Sequence, residues 1–238
     1  MRGMEDNLVL LSGGLDSAVN FLLALERGGV ALAVTVDYGQ RAAARETEKA
    51  RLLCREHGVR HRVIGARWLG KLSGDALTTP GMPLPVVRRE DIRRTSRPVR
   101  TPGVVWVPNR NGLLVNIGAC LAEGLGIPWV VMGLNAEEGE VFPDNSAGFV
   151  REVNRALSYS TLSRVRLRSF TINWDKREIL RVAIAMGLPL GSLWSCYNGG
   201  EFMCGECESC ARLLAAAADI GEMERLRGLF VSRVGRGG

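Results

Sequence analysis

The sequence predicts a doubly wound α/β fold, a parallel sheet with helices on both faces, extended by a small cysteine-bearing helical segment near the C-terminus. Three observations predict it. Aliphatic runs without alternation, at Leu8–Leu11, Val30–Val36 and Trp129–Leu134, have the pattern of strands buried on both faces. Stretches with apolar residues at helical spacing follow the first two of these runs and close on glycine, at Gly28-Gly29 and Gly58. The resulting order of strand, helix, strand, helix, strand implies right-handed crossovers and a parallel sheet. A chain of 238 residues suits one such domain with an appendage. The expected division is an α/β domain over 1–190 and a terminal segment over 191–238.

Each element has its own justification. The first run breaks at Ser12-Gly13-Gly14, and Ala18–Leu25 continues as a helix. The second strand ends in the polar cluster Asp37-Tyr38-Gly39-Gln40-Arg41, at the sheet edge where α/β proteins bind ligands. A helix over Ala42–His57 and a third strand over Arg60–Gly65 follow. From Ala66 to about Val105 periodicity is lost, and Pro80, Pro83, Pro85, Pro98 and Pro102 exclude long helices. This stretch is expected to be a lid or a dimer-contact arm. A helix over Asn111–Leu125, the strand from Trp129, a polar loop from Asn135 to Asn145 and a helix over Ala147–Ser158 come next. A short strand near Leu167–Ile172 and a helix over Lys176–Met186, capped by Asp175, complete the domain. The strand from Trp129 is expected beside the first strand, across the switch point of the sheet.

Composition narrows the function classes. Hydrophobic residues make up 46%, enough for a sizeable core, yet no apolar run approaches the length of about 18 residues that spans a bilayer. The start, MRGMEDN, lacks a signal-peptide core, so a cytoplasmic protein without membrane contact is expected. The net charge of +6 favours anionic partners without requiring nucleic acid. The arginines between Arg60 and Arg100 read better as a solvated loop than as an RNA-binding patch.

Strand, glycine turn and helix together aim backbone N–H groups and a helix dipole at an anion. The turn lacks the lysine that a Walker A loop places on terminal phosphates. It suits a pyrophosphate that leaves better than a phosphoryl group passed on. Cys196, Cys204, Cys207 and Cys210 stand at spacings of x7, x2 and x2, the pattern of a thiolate metal site in a reducing compartment. An iron–sulfur cluster takes the same four ligands. No redox partner motif accompanies them, so structural zinc is expected. Cys54 and Cys120, alone in apolar helices, are expected to be buried.

SGGLDS resembles the PP-loop signature of ATP pyrophosphatases, which activate substrates by adenylation. Together with DYGQR, VPNRN, NAEEGEVFPD, WDKREI and the terminal cysteines, in that order, it makes the chain similar to the 7-cyano-7-deazaguanine synthase family over nearly its whole length. Asn109 stands where that family reads glycine, Asn145 where it reads cysteine, and Ala42 where a histidine is frequent. The resemblance implies a Rossmann-like PP-loop fold and a homodimer. It implies structural zinc, and ATP with Mg²⁺ acting on 7-carboxy-7-deazaguanine and ammonia to give preQ0, the precursor of queuosine and archaeosine.

Site residues follow from the chemistry. Leu11, Ser12, Gly13, Gly14, Leu15, Asp16 and Ser17 are expected around the pyrophosphate and metal, with Tyr38 flanking adenine. Arg110 and Lys176 are the candidate cations, although a lysine at a helix start otherwise faces solvent and opposes the dipole. Arg110, Asn111, Glu137 and Asp144 are expected on the substrate, Asp144 pairing with the adjacent N–H donors of its guanine-like edge. Glu137 and Glu138 are candidate ligands of ammonium or Mg²⁺, or solvated loop acids. The competing readings are a PP-loop tRNA-thiolating enzyme, which needs a reactive thiol near the loop, and a synthase acting on another carboxylate. A nucleic-acid-binding zinc module is disfavoured, because Cys196–Cys210 holds three glutamates and no Lys or Arg.

Overall fold

The computed structural model describes residues 6–94 and 102–231. Expectations for residues 1–5, for 95–101 of the proline-rich stretch and for 232–238 lie outside the described residues. In chain order, β1 (Asn7–Leu10) leads through a turn into α1 (Leu15–Arg27), then β2 (Val30–Asp37), α2 (Ala43–Glu56) and β3 (His61–Gly65). Short helices α3 (Trp68–Ser73), α4 (Arg89–Arg94) and α5 (Pro102–Val105) precede α6 (Arg110–Gly124) and β4 (Trp129–Met132). The second half holds α7 (Ala136–Gly139), α8 (Ala147–Ser160), β5 (Arg166–Arg168), α9 (Lys176–Ala185) and α10 (Glu208–Asp219).

The strands form one parallel sheet in the order β3-β2-β1-β4-β5. Leu8 aligns with Leu32 on one side and Val130 on the other, so β1 is central and its aliphatic run is covered on both faces. Alternate residues feed two cores. Val9, Ala33 and Val131 pack with α1, α9 and α10, whereas Leu8, Leu32, Val34 and Val130 pack with α6 and with Leu157 of α8. The order reverses between β1 and β4, which opens a crevice at their carboxyl ends, the expected ligand position.

Several boundaries shift for identifiable reasons. β5 stops at Arg168 instead of reaching Ile172, because the Ser169 and Thr171 hydroxyls donate to the Leu134 carbonyl at 3.1 and 2.6 Å in place of ladder bonds. The proline-rich stretch is tied down over its first part. The Asp75 carboxylate accepts from Leu77 N and Thr78 Oγ1, both at 2.7 Å, and Arg41 donates to the Thr79 and Met82 carbonyls. Leu69 and Leu77 are buried there, and Val87 N donates to Glu206 O at 2.8 Å, joining the stretch to the cysteine segment. That segment shares a core with the sheet, since Cys207, Cys210, Leu213 and Phe230 cluster with Val9 and Phe21.

Cys54 is buried, but Cys120 is exposed, a correction to the expectation from its apolar surroundings. On α6 the sheet-facing stripe is Val115, Gly118, Ala119 and Ala122, and Cys120 falls outside it. Among the described residues, no helix is long and apolar enough to cross a membrane.

Candidate active site and metal centre

β1 runs directly into the glycine turn, and Leu11 N is still held by Val34 O at 2.8 Å. Gly13 has φ +74°, and a Cβ there would stand 2.9 Å from Lys49 Cβ and 3.0 Å from Glu46 O, so only glycine makes this turn without strain. Ser17 Oγ donates to Gly14 O at 3.0 Å and accepts from Ser12 N at 3.2 Å, closing the loop on the first turn of α1. A Cβ at Gly133, just beyond β4, would meet Ser17 N at 2.5 Å. β4 therefore presses its end against the loop because that position has no side chain. Leu11, Ser12, Gly14, Leu15, Asp16 and Ser17 all line the crevice cavity. Gly13 does not line it. Its carbonyl instead accepts from Trp194 N at 2.9 Å.

The starts of four long helices meet at this cavity: Leu15 and Asp16 of α1, Arg110 and Asn111 of α6, Lys176 of α9, and Ser209 of α10 line it together. Each start leaves backbone N–H groups without intrahelical partners and carries partial positive charge, so the cavity suits a polyanion.

Lys176 is buried at 7% exposure, which excludes the solvent-facing position open to a helix-start lysine. Its Nζ lies 2.6 Å from Asp16 Oδ2 and 3.2 Å from Glu138 Oε1. Asn135 Nδ2 donates to the same Asp16 oxygen at 3.1 Å. Burial works against the ammonium, but the Asp16 and Glu138 carboxylates outweigh it and hold its pKa above the ordinary lysine range. Burial likewise opposes ionisation of Glu138, yet Lys176 and Arg212 prevail and hold that carboxyl low. The dipole objection to Lys176 is met by anions. Asp175 and Glu178 form a capping box at the start of α9, and Glu137 Oε1 accepts Lys176 N at 3.0 Å. Asp16 Oδ1 is buried without a hydrogen-bond partner among the described residues.

Glu137 and Glu138, adjacent in sequence, do different things. Glu138 lines the cavity, whereas Glu137 is turned to Lys176 N and to Arg212 Nη1 at 3.2 Å and lines neither space described here. Arg110 stands over the Tyr38 ring at 5.9 Å, and Tyr38 lines the cavity beneath it. Burial disfavours the guanidinium charge, but Tyr38 and Asp144 more than compensate, so Arg110 stays cationic.

Beyond Arg110 the cavity continues into a side chamber shared through Leu77, Arg110, Glu138, Asn145 and Tyr197. Its walls include Trp106 and Phe142, stacked at 6.1 Å with 9° between their planes, and Asp144 lies in it. Burial raises the Asp144 carboxyl above its ordinary range against the pull of Arg110 and of Asn145, which donates to Oδ1 at 3.1 Å. Asn111 Nδ2 donates to the backbone carbonyl of Asp144 at 3.2 Å, fixing the loop to α6. Asn109 lines neither space. It has φ +52°, a left-handed conformation that glycine adopts freely and asparagine tolerates, so its substitution answers a backbone demand.

The Sγ atoms of Cys196, Cys204, Cys207 and Cys210 lie within 4.8 Å of one another. Backbone N–H groups of Asn198 and Cys204 donate to Cys196 Sγ, and that of Cys207 to Cys204 Sγ, all at 3.3 Å, which favours thiolates. The segment is also a wall of the cavity, through Trp194, Ser195, Cys196 and Tyr197. Sequence reasoning did not single out Trp106, Phe142, Tyr197 or Arg212. Tyr197 had one legible signal, its place next to the first cysteine of the cluster. The others are brought in by contacts between distant segments.

The family described as queuosine biosynthesis protein QueC matches residues 6–221. The 7-cyano-7-deazaguanine synthase of Pelotomaculum thermopropionicum is 45% identical over 215 residues, covering 90% of this chain and 97% of the relative. That of Desulforudis audaxviator is 46% identical over 214 residues, with 90% and 97% covered. That of Methanosarcina mazei is 40% identical over 217 residues, with 90% and 94% covered. On the match to nearly its whole length, the chain belongs to the QueC family of queuosine biosynthesis proteins.

Proposed function

We propose that the chain converts 7-carboxy-7-deazaguanine, ammonia and ATP into 7-cyano-7-deazaguanine, as the names of its relatives suggest. One observation carries the reading. A single crevice joins the glycine loop and its buried Lys176 to a chamber with aromatic walls and a carboxylate, Asp144.

A carboxylate is a poor acyl donor because oxide would have to leave. Attack by its oxygen on the α-phosphorus of ATP breaks the bond to the bridging oxygen, releases pyrophosphate and forms an acyl-adenylate. Ammonia displaces AMP to give the amide. A second ATP takes the amide oxygen in the same way, and loss of the nitrogen protons with cleavage of the C–O bond leaves the nitrile and AMP. In this reading Ser12, Gly14 and the first turn of α1 receive the pyrophosphate, Lys176 and Arg110 offset its charge, and Tyr38 packs against the nucleotide. Arg110 and Asn111 border the substrate, Asp144 accepts from its guanine-like edge, and Trp106, Phe142 and Tyr197 enclose the ring.

The residues present fit the two implied metals. Asp16 Oδ1, buried with no donor among the described residues, suits Mg²⁺, with Glu138 on the same lysine. A bound Mg²⁺ supplies charge neutralisation on the departing pyrophosphate. Tetrahedral zinc with Zn–S bonds of about 2.3 Å spaces its sulfurs by about 3.8 Å. The Cys204–Cys210 separation of 4.0 Å and the 4.8 Å envelope support zinc over a four-iron cluster, in which each cysteine binds a separate iron corner and the thiolates stand further apart. The thiolation reading finds no support. Among the described residues, the only cysteine lining the cavity is Cys196, which belongs to the four-sulfur cluster, and Cys120 is exposed on α6.

Mass spectrometry of products from purified protein with 7-carboxy-7-deazaguanine, ammonium and Mg-ATP tests the reading, and absence of the nitrile removes it. Asp144→Asn is expected to lower kcat/KM for the acid by roughly 30- to 1000-fold, because one base donor loses its acceptor, while ATP affinity is kept. Because burial raises the Asp144 pKa, the wild-type kcat/KM is expected to fall with acid at a pH above the ordinary aspartate range. An Asp144→Asn enzyme with wild-type kcat/KM would leave Asp144 as a turn residue.

A further inference from the structure

Arg212, on the second turn of α10, is buried and takes no direct part in lining the cavity. Its guanidinium is shared between two segments far apart in the chain. Nε and Nη2 donate to Glu208 Oε1 at 3.1 and 2.8 Å, and Nη1 donates to Glu137 Oε2 at 3.2 Å. Glu208, 2% exposed, immediately follows the metal-ligand Cys207, which is the N-cap residue of α10. Glu137 uses its other oxygen to accept the backbone N–H of Lys176 at 3.0 Å. From Lys176 the path continues by Nζ to Asp16 of the glycine loop at 2.6 Å.

We propose that Arg212 is a positioning residue: a strut that sets Lys176 against the glycine loop through Glu137 and registers it to the metal-bearing end of α10. The proposal rests on the synthase reading given above and deepens it. The physical case is one of geometry and charge. The start of α9 lies more than thirty residues along the chain from both α7 and α10, and Glu137 is the carboxylate that bridges Lys176 N and Arg212. A planar guanidinium can hold two carboxylates at fixed angles, which an ammonium cannot do. Without Arg212, Glu137 is left with one neutral donor, and α7, still held at its start by Ala136 N donating to Trp174 O at 3.0 Å, loses its tie to α10. Glu138, the next residue in α7, would then hold the Lys176 ammonium less closely against the loop. The metal ligands would be unaffected.

The test is a double-mutant cycle read by Mg-ATP affinity in equilibrium dialysis, with metal content measured on the same samples. Arg212→Gln is expected to keep the wild-type metal stoichiometry and to weaken Mg-ATP binding on the order of 10-fold, the usual size of a lost supporting contact. In a Lys176→Met background the same substitution is expected to change affinity by less than about twofold, because the group through which it acts is gone. Should Arg212→Gln fail to fold, Glu137→Gln, on a half-exposed side chain, repeats the cycle with the same expectation. Equal losses in both backgrounds, or loss of metal from a folded variant, overturn the strut. A wild-type chain that binds no Mg-ATP overturns the synthase reading and the strut with it. Binding without nitrile formation overturns the reading of the substrate alone.

Discussion

Lys176→Met is expected to cut the rate of pyrophosphate release by about 10³-fold or more, by removing a preorganised charge from a water-poor site. The side chain is buried between Asp16 and Glu138, so the substitution also leaves two carboxylates facing each other with no cation between them. One of them will take up a proton, since like charges this close cannot both ionise cheaply. The sign of the pH dependence follows. In the wild type the Lys176 pKa is raised, so its stabilisation is complete below the ordinary lysine range and is lost only as pH climbs through the raised value. The Glu138 pKa is lowered, so its stabilisation is present above the ordinary glutamate range and is lost as pH falls through the lowered value. Burial raises the Asp16 pKa, so that carboxyl costs stability as pH climbs through its raised value, and the wild type is insensitive to this cluster only above that value and below the raised Lys176 value. In Lys176→Met the shared proton gives a folded-state pKa above the unfolded one, so the variant is expected to be closest to wild type near about pH 5 and to lose ground toward about pH 8. Thermal unfolding at the two pH values and a pyrophosphate assay check both parts. A variant releasing pyrophosphate at the wild-type rate would remove Lys176 from the chemistry.

The second large effect is expected from Cys210→Ser. Loss of one thiolate from the four-sulfur cluster should abolish stoichiometric metal binding and destabilise the chain by at least about 3 kcal/mol. For a chain of this size that is a fall in Tm of about 6 °C or more. The consequence should not stay local. Cys196, Cys207 and Cys210 sit in the same core as Val9 and Phe21, and Tyr197 and Ser209 of the segment line the cavity. The KM for 7-carboxy-7-deazaguanine is therefore expected to rise along with the loss of stability, and chelation of the wild type should do the same. Metal analysis, differential scanning calorimetry and steady-state kinetics on one preparation decide it. Retention of one metal per chain with an unchanged Tm would show that Cys210 is not a ligand.

Elements with local causes were legible in the sequence. The aliphatic runs became β1, β2 and β4 because a strand covered on both faces needs no alternation, and β1 does pair with β2 and β4. Asp175 caps α9 as its side chain predicts, since capping is decided within four residues. Ser12 to Ser17 form the turn before α1, and the four cysteines converge, because both patterns span few residues.

What only the tertiary structure decided depends on contacts between residues far apart in the chain. Lys176 and Asp16 are 160 positions apart and meet because β1 neighbours β4, which brings the start of α9 to the glycine loop. Glu137 and Glu138 are alike by residue type, and the division of labour between them comes from Arg212 on one side and Lys176 on the other. Cys120 is exposed because the small residues around it, not the cysteine, turn the close-packing side of α6 to the sheet. Spacing within a segment determines which groups can act together locally. Which segments share a cavity, and which charges lose their water there, is determined by how the sheet stacks its helices.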